Sequence, residues 1–313
     1  MTYHLPLKTQ PKEMVQLVNA KCIEAFARHD SEDLHSALDY ANDSNTRAWS
    51  MLRLDRLQAL AGWRCLPWDS QVIGCASGSV GGLWTEGCYA EQRHRLEMVL
   101  NACIADAEDH GVRFLSVRLP EGAIAALHAV EAVGFRIIES FLTFGRKTDG
   151  EIPFNGGSDF HVRLAHPDEM ETVAAIAYRA FQSFRLRVDP QIPESRARDS
   201  RREWVRNGFK GRAEAIYVAE SENHIVGFAL LRSKAGTEKI GEIELIAVDP
   251  AFHGRGIGKA LVAEAIRHYQ GRTAEIQVGT QAKNLRAIGL YTRMGFSVMR
   301  SELSFHRHSE TIT

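Results

Sequence analysis

The chain of 313 residues has no apolar run that approaches the ~18 residues needed to cross a membrane as a helix. Its first residues, MTYHLPLKTQPKE, lack the basic and then apolar segments of a secretion signal. The sequence therefore predicts a cytoplasmic protein that neither crosses a membrane nor binds one. Its length and its 44% hydrophobic content suit about two folded domains.

Cysteines are few, and their spacing does not suggest a site. Their number is odd, and all lie in the first third of the chain, at Cys22, Cys65, Cys75, Cys88 and Cys103. No Cys-x-x-Cys pair occurs, and the 13 histidines show no zinc-like partner spacing. We expect reduced, structural thiols and no metal.

Net charge is also close to zero, at -1. The protein therefore has no global field that would attract nucleic acid or anionic lipid, and an anionic ligand must be held by local groups. A basic run at 185–202 is local and is followed by no series of aromatic residues for base stacking. These features argue against a nucleic-acid partner.

One stretch, ELIAVDPAFHGRGIGKA from Glu244 to Ala260, contains the strongest signal. An apolar run with β-branched residues stops before Asp249-Pro250, and a helical apolar pattern begins after Gly256. The pattern predicts strand, loop and helix. Glycines let a ligand approach the backbone, and the first turn of a helix offers unpaired N–H groups and a positive dipole end. The stretch therefore predicts a phosphate-binding turn.

The spacing argues against two common phosphate loops. In a nucleoside-triphosphate loop, Ala260 would replace the magnesium-binding hydroxyl residue and Gly254 would come one position too late. A dinucleotide fingerprint lacks its third glycine.

The stretch resembles motif A of the Gcn5-related N-acetyltransferase (GNAT) superfamily. In that motif a strand ending in Val-x-Pro leads into Gln/Arg-x-x-Gly-x-Gly/Ala, and the loop holds the pyrophosphate of acyl-coenzyme A. Here His253 occupies the Gln/Arg position. The resemblance implies acetyl-CoA or another short acyl-CoA as cosubstrate. It implies cofactor contacts by Ile246, Ala247 and Val248 on the strand, and by His253, Gly254, Arg255, Gly256, Ile257, Gly258 and Lys259 in the loop.

A second segment resembles motif B of the same superfamily, which has Asn and Tyr on one helix before a Gly-Phe turn. After a predicted strand at 274–278, this chain has Gln281, Asn284, Ala287 and Tyr291, followed by Gly295-Phe296. Positions 284, 287 and 291 share a helical face. The resemblance implies cofactor contacts for Asn284 and Ala287. It also implies that Tyr291 is the acid that protonates the leaving thiolate.

The chain repeats itself. GFRIIESFLTF from Gly134 aligns without a gap on GFSVMRSELSF from Gly295. In this register Tyr291 falls on Val130, Asn284 on Ala123, and the glycine loop near residues 94–97. The first copy is thus predicted to keep the packing pattern without the cofactor site.

We therefore predict an α/β (α+β) protein with tandem GNAT-like mixed, mostly antiparallel sheets flanked by helices. Residues 1–64 are predicted as a helical extension, with helices near 14–22, 34–38 and 54–60. Residues 65–147 form the degenerate half in this interpretation, with a strand at 71–75 and a Gly/Ser-rich loop at 78–82. Residues 148–158 are the predicted linker and 159–313 the catalytic domain, with a hairpin turning at Glu222-Asn223.

Across residues 65–307 the chain is similar to the dTDP-fucosamine acetyltransferases. The similarity rests on Leu66-Pro67-Trp68-Asp69-Ser70, Gly134-Phe135, Phe181-Gln182-Ser183-Phe184-Arg185, and Thr280-Gln281 with the motif B residues. It implies an amino-deoxysugar linked to a nucleotide as acceptor. The family has Ser-Arg-Phe where this chain has Ser183-Phe184-Arg185, and lacks the residues that precede Leu66. Candidate acceptor contacts are Arg185, Arg187 and Gln281, although the two arginines could equally be surface charges.

Acyl transfer to an amine needs a proton acceptor as well as an acid. Glu242 and Glu244 share one face of the predicted strand, so either could accept the proton through water. Each could instead be an ordinary strand carboxylate paired with an arginine. The alternatives to a nucleotide sugar are another small amine, such as an aminoglycoside or polyamine, and a non-catalytic acyl-CoA sensor. A homodimer is expected from the frequency of dimers among soluble enzymes.

Overall fold

The computed structural model describes residues 13–18, 32–53, 56–154, 156, 159–181, 184–234 and 240–309. The chain divides into two compact units. The first unit takes in Met1–Ile138 and Glu302–Thr313, and the second takes in Glu139–Ser301.

The first unit combines a sheet with helices. In chain order its described elements are β1 (Glu13–Val18), α1 (Glu32–Asn42), β2 (Thr46–Arg53), β3 (Arg56–Cys65), α2 (Pro67–Ile73), β4 (Ser77–Thr85), α3 (Tyr89–Asp109), β5 (Phe114–Pro120), α4 (Ile124–Ala132) and the end of β12 (Ser297–His308).

The second unit has a similar order of elements. They are β6 (Arg136–Lys147), β7 (His161–Leu164), α5 (Met170–Ala180), α6 (Arg185–Val188), α7 (Glu194–Asn207), β8 (Ala215–Ser221), β9 (His224–Lys234), β10 (Ile240–Val248), α8 (Ile257–Tyr269), β11 (Glu275–Gln281) and α9 (Leu285–Arg293). Short 3₁₀ turns lie at Pro167–Glu169 and Pro250–Phe252, and a π-helical turn at Gly208–Arg212 follows α7.

The two sheets have the same topology. The strand order is β1-β2-β3-β4-β5-β12 in the first unit and β7-β8-β9-β10-β11-β6 in the second. Neighbouring strands are antiparallel, except for the parallel pairs β4–β5 and β10–β11. The prediction of tandem mixed, mostly antiparallel sheets flanked by helices is confirmed.

The last strands of the two repeats are exchanged. Residues Phe141–Lys147 of β6, from the first repeat, pair with β11 in the second unit. Residues Glu302–His308 of β12, from the second repeat, pair with β5 in the first unit. Each sheet is therefore completed by a strand from the other half of the sequence.

The sheet of the second unit is covered by helices on both faces. On one face, Ile243 packs with Leu261 and Ile266 of α8 and with Tyr291 of α9. On the other face, Leu245 packs in a core that α5 and α7 supply, with members such as Val173, Ala177 and Val205. Residues 243 and 245 would share one face of a regular strand, so the change of face requires an irregularity in β10.

Local signals predicted several elements correctly. The hairpin β8–β9 turns at Glu222-Asn223, and both residues have positive φ, 52° and 61°. This left-handed pair gives the turn a twist that matches the flanking strands. The predicted helix near 34–38 is α1, and the strand, loop and helix predicted around Gly256 form as β10, the turn that follows it and α8. The strand predicted at 274–278 is β11.

The predicted helical extension is wrong at two of its three helices. Glu13–Val18 is a strand, and so is Arg56–Cys65, which includes the segment predicted as a helix near 54–60. In β3 every residue from Leu57 to Trp63 is buried, and such a strand reads as an apolar run without alternation. Cys22 lies outside the described residues. Residues before 65 thus supply β1, β2 and β3 of the first sheet, and the two units do not follow the predicted domain boundaries.

Two further predictions near residue 75 are also wrong. The predicted strand at 71–75 overlaps helix α2, which has Pro67 in its first turn and ends at Gly74 in the left-handed region (φ 86°). The predicted glycine-rich loop is strand β4. A Cβ on Gly81 would lie 2.7 Å from the ring of Tyr40, so this glycine permits close packing of α1 on the sheet.

Cys65, Cys75, Cys88 and Cys103 form no disulfide within the described residues. Cys103 is buried in the core of the first unit, whereas Cys65 and Cys88 are exposed, so the structural role expected for the thiols stays a prediction for those two. Within the described residues, no helix is long and apolar enough to cross a membrane.

Candidate active site

The candidate site lies where strand β10 stops pairing with strand β11. Pairing of the two strands covers Ile240–Ile243 with Glu275–Val278, and no further pairing occurs although both strands continue through described residues. A register shift between Ile243 and Leu245 marks a β-bulge at Glu244. The bulge explains why Leu245 faces the opposite core from that of Ile243. Beyond it, the edge of residues 244–248 has no strand partner on the β11 side among the described residues, and we call this open side the cleft.

Backbone groups on this edge can bind a ligand as another strand would. The Asp249 N–H donates to the Val226 carbonyl of β9 at 2.8 Å. Because backbone groups alternate sides along a strand, those of Ala247 also face β9, and those of Ile246 and Val248 face the cleft. The backbone groups of Ile246 and Val248 are therefore open to a ligand, whereas those of Ala247 face β9, and the predicted cofactor contacts of all three residues stay predictions. His253 Nε2 lies 3.0 Å from the Val248 carbonyl oxygen, on the cleft side.

The glycine loop has the geometry of a phosphate cradle. Gly254 and Gly256 have φ of 83° and 85°, and no atom lies within 4 Å of the position that a Cβ would occupy on either residue. Helix α8 begins directly after Gly256, with no side chain capping its first N–H groups. Open space, a glycine backbone and an uncapped helix N-terminus together suit a pyrophosphate. The acyl-CoA implied by the sequence thus fits the residues present.

The other loop residues differ in what they contribute. Ile257 is buried in the core, so its side chain anchors the start of α8. A Cβ on Gly258 would lie 3.3 Å from Leu290, so this glycine lets α9 pack closely. The Arg255 guanidinium is exposed and lies 4.9 Å from the centre of the Phe252 ring. Lys259 is partly buried.

The first unit has no such loop at the corresponding position. Helix α3 begins earlier, at Tyr89, and runs through Arg93, Arg95 and Glu97. Its N-terminus is capped by its own carboxylate, because the Cys88 N–H donates to Glu91 at 3.0 Å. A side-chain anion therefore occupies the end of the helix that α8 leaves open in the second unit.

Tyr291 is buried on α9, with 3% of its surface exposed. Its ring lies 5.7 Å from that of Phe144 and 6.0 Å from that of Phe296. Burial raises the pKa of the hydroxyl above its ordinary value, so the group stays protonated at neutral pH. Val130, the corresponding residue of the first unit, is also buried but has no proton to give.

Asn284 has a structural task in this protein. Its Oδ1 accepts from the Ala287 N–H at 3.2 Å, and its Nδ2 donates to Thr280 Oγ1 at 3.0 Å. It is the N-cap of α9 and holds the helix that carries Tyr291. Gln281 lies at the end of β11, partly buried, just before this cap. The predicted ligand contacts of Asn284, Ala287 and Gln281 stay predictions.

Both candidate bases form ion pairs. Glu244 is 5% exposed, and its Oε1 lies 2.7 Å from Arg212 and 3.7 Å from Arg232. Its Oε2 is buried and has no hydrogen-bond partner among the described residues. Glu242 is more exposed and lies 3.4 Å from Arg232, so the two carboxylates share a face as predicted. The arginine-paired alternative therefore describes both residues, but Glu244 keeps one oxygen available.

The predicted acceptor arginines lie in a short helix, α6. Arg187 is paired with Glu194 at 2.8 Å. Arg185 acts electrostatically on Arg201 of α7. Sequence reasoning missed Arg201, because 196–202 reads as a run of surface charges. Its guanidinium instead lies 4.0 Å from the centre of the Phe184 ring and 5.5 Å from that of Trp204. The aromatic residues on either side of this run, at 181, 184 and 204, were the feature of the sequence that could have indicated the site.

An open strand edge, a glycine cradle at a helix N-terminus and a buried tyrosine together suit transfer of an acyl group from coenzyme A. Residues 176–296, which lie within the second unit, match the acetyltransferase (GNAT) family. The second unit is a GNAT acetyltransferase domain, and the protein is an N-acetyltransferase. This family uses acetyl-CoA.

Relatives share the family at moderate identity. The spore coat polysaccharide biosynthesis protein SpsD of Bacillus subtilis (strain 168) is 29% identical over 258 residues, covering 80% of this chain and 84% of that protein. A mycothiol acetyltransferase of Amycolatopsis mediterranei (strain U-32) is 27% identical over 145 residues, which are 44% of this chain and 46% of that one. The chain thus spans less than half of that second relative.

Solved structures share the fold. A GCN5-related N-acetyltransferase from Sphaerobacter thermophilus superposes with a TM-score of 0.63 at 15% identity, covering 96% of both chains. A tandem GNAT protein from the clavulanic acid biosynthesis pathway gives a TM-score of 0.56 at 12% identity, covering 96% of this chain and 99% of that one. At these identities the likeness concerns the fold alone.

Proposed function

We propose that the second unit transfers an acetyl or other short acyl group from acyl-CoA to the amine of a nucleotide-linked amino-deoxysugar. The observation that carries the proposal is the uncapped start of α8 behind Gly254 and Gly256, next to the open edge of β10. The two features lie in one continuous stretch, so a single extended ligand could contact both. A pyrophosphate with a pantetheine arm has that form.

Acyl-CoA supplies the acyl group as a thioester when it is bound. The backbone of Ile246 and Val248 would pair with the pantetheine amides, in the manner of an added strand. Binding there requires the His253 ring to give up its contact with the Val248 carbonyl. The N–H groups of residues 253–258 would hold the pyrophosphate, with charge added by Arg255 and Lys259.

Two residues would handle the protons. The Tyr291 hydroxyl holds a proton for the departing thiolate, and its raised pKa keeps the group protonated at neutral pH. For the amine proton we favour Glu244 over Glu242. The Oε2 atom of Glu244 has no partner among the described residues, whereas Oε1 is bound by Arg212 and keeps the carboxylate oriented.

The sugar acceptor has separate support. The name of the Bacillus relative refers to polysaccharide biosynthesis, and that match covers most of both chains. Arg212, in the π-helical turn that follows α7, donates to Glu244 of the bulge at 2.7 Å, and the arginines of α6 and α7 could bind a diphosphate.

The test is a thiol-release assay with acetyl-CoA and dTDP-, UDP- and GDP-linked amino sugars, run with wild type and Tyr291→Phe. We expect release with one nucleotide sugar, and about 100-fold less in the variant while CoA binding persists. Absence of release with every nucleotide sugar would contradict the acceptor. Equal rates in both proteins would contradict the role of Tyr291.

The mycothiol acetyltransferase relatives, whose name refers to no sugar nucleotide, favour a second candidate, another small-molecule amine as acceptor. A neutral amino glycoside, an aminoglycoside and a polyamine added to the panel distinguish the two. Preference for one of them over all the nucleotide sugars would establish this second candidate.

A further inference from the structure

Arg201 differs from its neighbours on α7 in how its charge is balanced. Arg198 pairs with Glu194 at 2.7 Å, and Arg202 pairs with Asp199 at 3.5 Å. Arg201 has no such pair within the described residues, and its buried Nε has no hydrogen-bond partner among them. Although the side chain is partly exposed, this nitrogen is not, and a buried guanidinium N–H group normally has an acceptor.

Aromatic rings hold the guanidinium of Arg201 instead. Its central carbon lies 4.0 Å from the centre of the Phe184 ring, 5.1 Å from that of Phe181 and 5.5 Å from that of Trp204. Ring faces attract the cation and fix its plane, but they leave its N–H groups unused. The side chain is therefore oriented in advance for an oxyanion.

The charges around Arg201 also favour the binding of an anion. Burial and the positive charge of Arg185 lower the pKa of Arg201 to about 10, while Glu139 acts in the opposite direction. Arg201 is still charged at neutral pH. Two like charges near one another, one of them desolvated, are stabilised by a bound anion.

Contacts connect this cluster to the reaction site. The Trp204 ring lies against Arg201 on one side and 4.4 Å from the Arg212 guanidinium. Arg212 in turn donates to Glu244 at 2.7 Å. The Trp204 indole and the Arg212 guanidinium thus lie between Arg201 and the β-bulge at Glu244.

We propose that Arg201, assisted by Arg185, binds an oxyanion group of the acceptor, a phosphate of a nucleoside diphosphate or a carboxylate. The inference rests on the proposed function, because the anion is taken to be part of the molecule that receives the acyl group. The site is distinct from the glycine loop, which binds the pyrophosphate of the acyl donor.

A binding experiment tests the site without turnover. Protein saturated with CoA, so that the glycine loop is filled, is titrated by calorimetry with pyrophosphate, dTDP and succinate. We expect saturable binding that Arg201→Gln weakens about 30-fold. Arg202→Gln is the matched control, since Arg202 also lies over a ring, that of Tyr178 at 4.3 Å, and we expect no effect.

The titrations distinguish a phosphate site, a carboxylate site and the absence of a site. Tighter binding of pyrophosphate or dTDP assigns a phosphate, and tighter binding of succinate assigns a carboxylate. No saturable binding of any probe, or equal weakening in the control, overturns the site. If Arg201→Gln fails to fold, Arg201→Lys keeps the charge and loses the planar fork, and intermediate binding is expected.

Kinetics then test the connection to the acceptor. Arg201→Gln should raise KM for a nucleotide-linked amino sugar and leave KM for acetyl-CoA and for a neutral amino glycoside unchanged. Equal losses for the neutral glycoside would show that Arg201 only supports the fold. Anion binding that depends on Arg201, without transfer to any nucleotide sugar, would refute the proposed acceptor and keep the site.

Discussion

Arg146 and Arg307 make the same contact in different units. Arg146 Nη1 donates to the Met294 carbonyl at the end of α9 at 2.6 Å, and Arg307 Nε donates to the Val133 carbonyl at the end of α4 at 3.3 Å. Arginine at a helix C-terminus satisfies carbonyls that have no partner within the helix. Arg146 belongs to the last strand of the first repeat and Arg307 to that of the second. Each repeat therefore caps a helix of the other.

The exchange predicts which unit a core substitution will weaken. Phe305 comes from the second repeat but is buried, 1% exposed, in the core of the first unit. Phe305→Ala should lower the free energy of unfolding of the first unit by about 3–5 kcal/mol, since it removes a ring and leaves a cavity. In hydrogen exchange, amides of α3 should lose protection before those of α8.

Phe144→Ala is the matched control, because Phe144 aligns with Phe305 in the repeat and is buried in the core of the second unit. It should reverse the order, with α8 losing protection first. Loss of protection at α8 first in Phe305→Ala would contradict the exchange.

Gly256 should be needed for both backbone conformation and ligand space. Its φ of 85° is costly for alanine, and a Cβ would enter the open space above the loop. Gly256→Ala should lose about 1 kcal/mol of stability from the strained backbone and bind CoA at least about tenfold more weakly. Calorimetry gives the Kd, and thermal unfolding gives the stability.

Gly271 separates these two effects. It also has positive φ, 70°, with no atom near its Cβ position, but it lies beyond the other end of α8. Gly271→Ala should lose similar stability and keep CoA affinity. Equal weakening of CoA binding in both variants would mean that strain, and not the cradle, explains the effect.

Glu244→Gln tests the proposed proton acceptor. The change keeps the shape and removes the proton-accepting carboxylate, so kcat should fall about 100-fold in the thiol-release assay. Stability should also fall by about 3 kcal/mol, because Arg212 loses its buried partner. Glu242→Gln, on the same strand face, should change kcat by no more than about twofold. A destabilised Glu244→Gln protein with the kcat of the wild type would leave Glu244 a structural role only.

Sequence reasoning predicted those parts of the site that are continuous in the chain. The strand, loop and helix around Gly256 lie within one stretch, and glycine spacing alone defines the turn. Tyr291 and Asn284 were proposed from the resemblance to motif B, and their roles toward the cofactor stay predictions; the capping role of Asn284 was not predicted. The register of the repeat agrees with local geometry. Ala123 and Asn284, which precede α4 and α9, have similar backbone angles, φ/ψ of -82°/59° and -85°/70°.

The remaining features depend on contacts between distant residues. Arg201 reads as a surface charge until the rings of Phe184 and Trp204 are brought to it. The exchange of β6 and β12 has no sequence signature, since the two strands have the same pattern and would fit either sheet. Strand β3 was missed because a strand buried on both faces has no alternation.

The pH dependence of Tyr291 follows from its burial. The raised pKa of the hydroxyl favours the neutral form in the folded protein. Its contribution to stability is complete below the ordinary value, about 10, and is lost as the pH rises above it. The acid should therefore remain protonated across the neutral range, and kcat should show no alkaline loss from this group below a pH of about 10.

Profiles of kcat between about pH 6 and 10 for wild type and Tyr291→Phe test this. The variant should be slower by a constant factor at every pH, because the residue it lacks does not change its ionisation in that range. Tyr269→Phe is the control, since Tyr269 is another buried tyrosine whose pKa is raised, first by burial, and it lies at the far end of α8. Its profile should match the wild type. An alkaline limb near pH 8 that only Tyr291→Phe removes would show that the hydroxyl ionises in the working range, contrary to its position among Phe144 and Phe296.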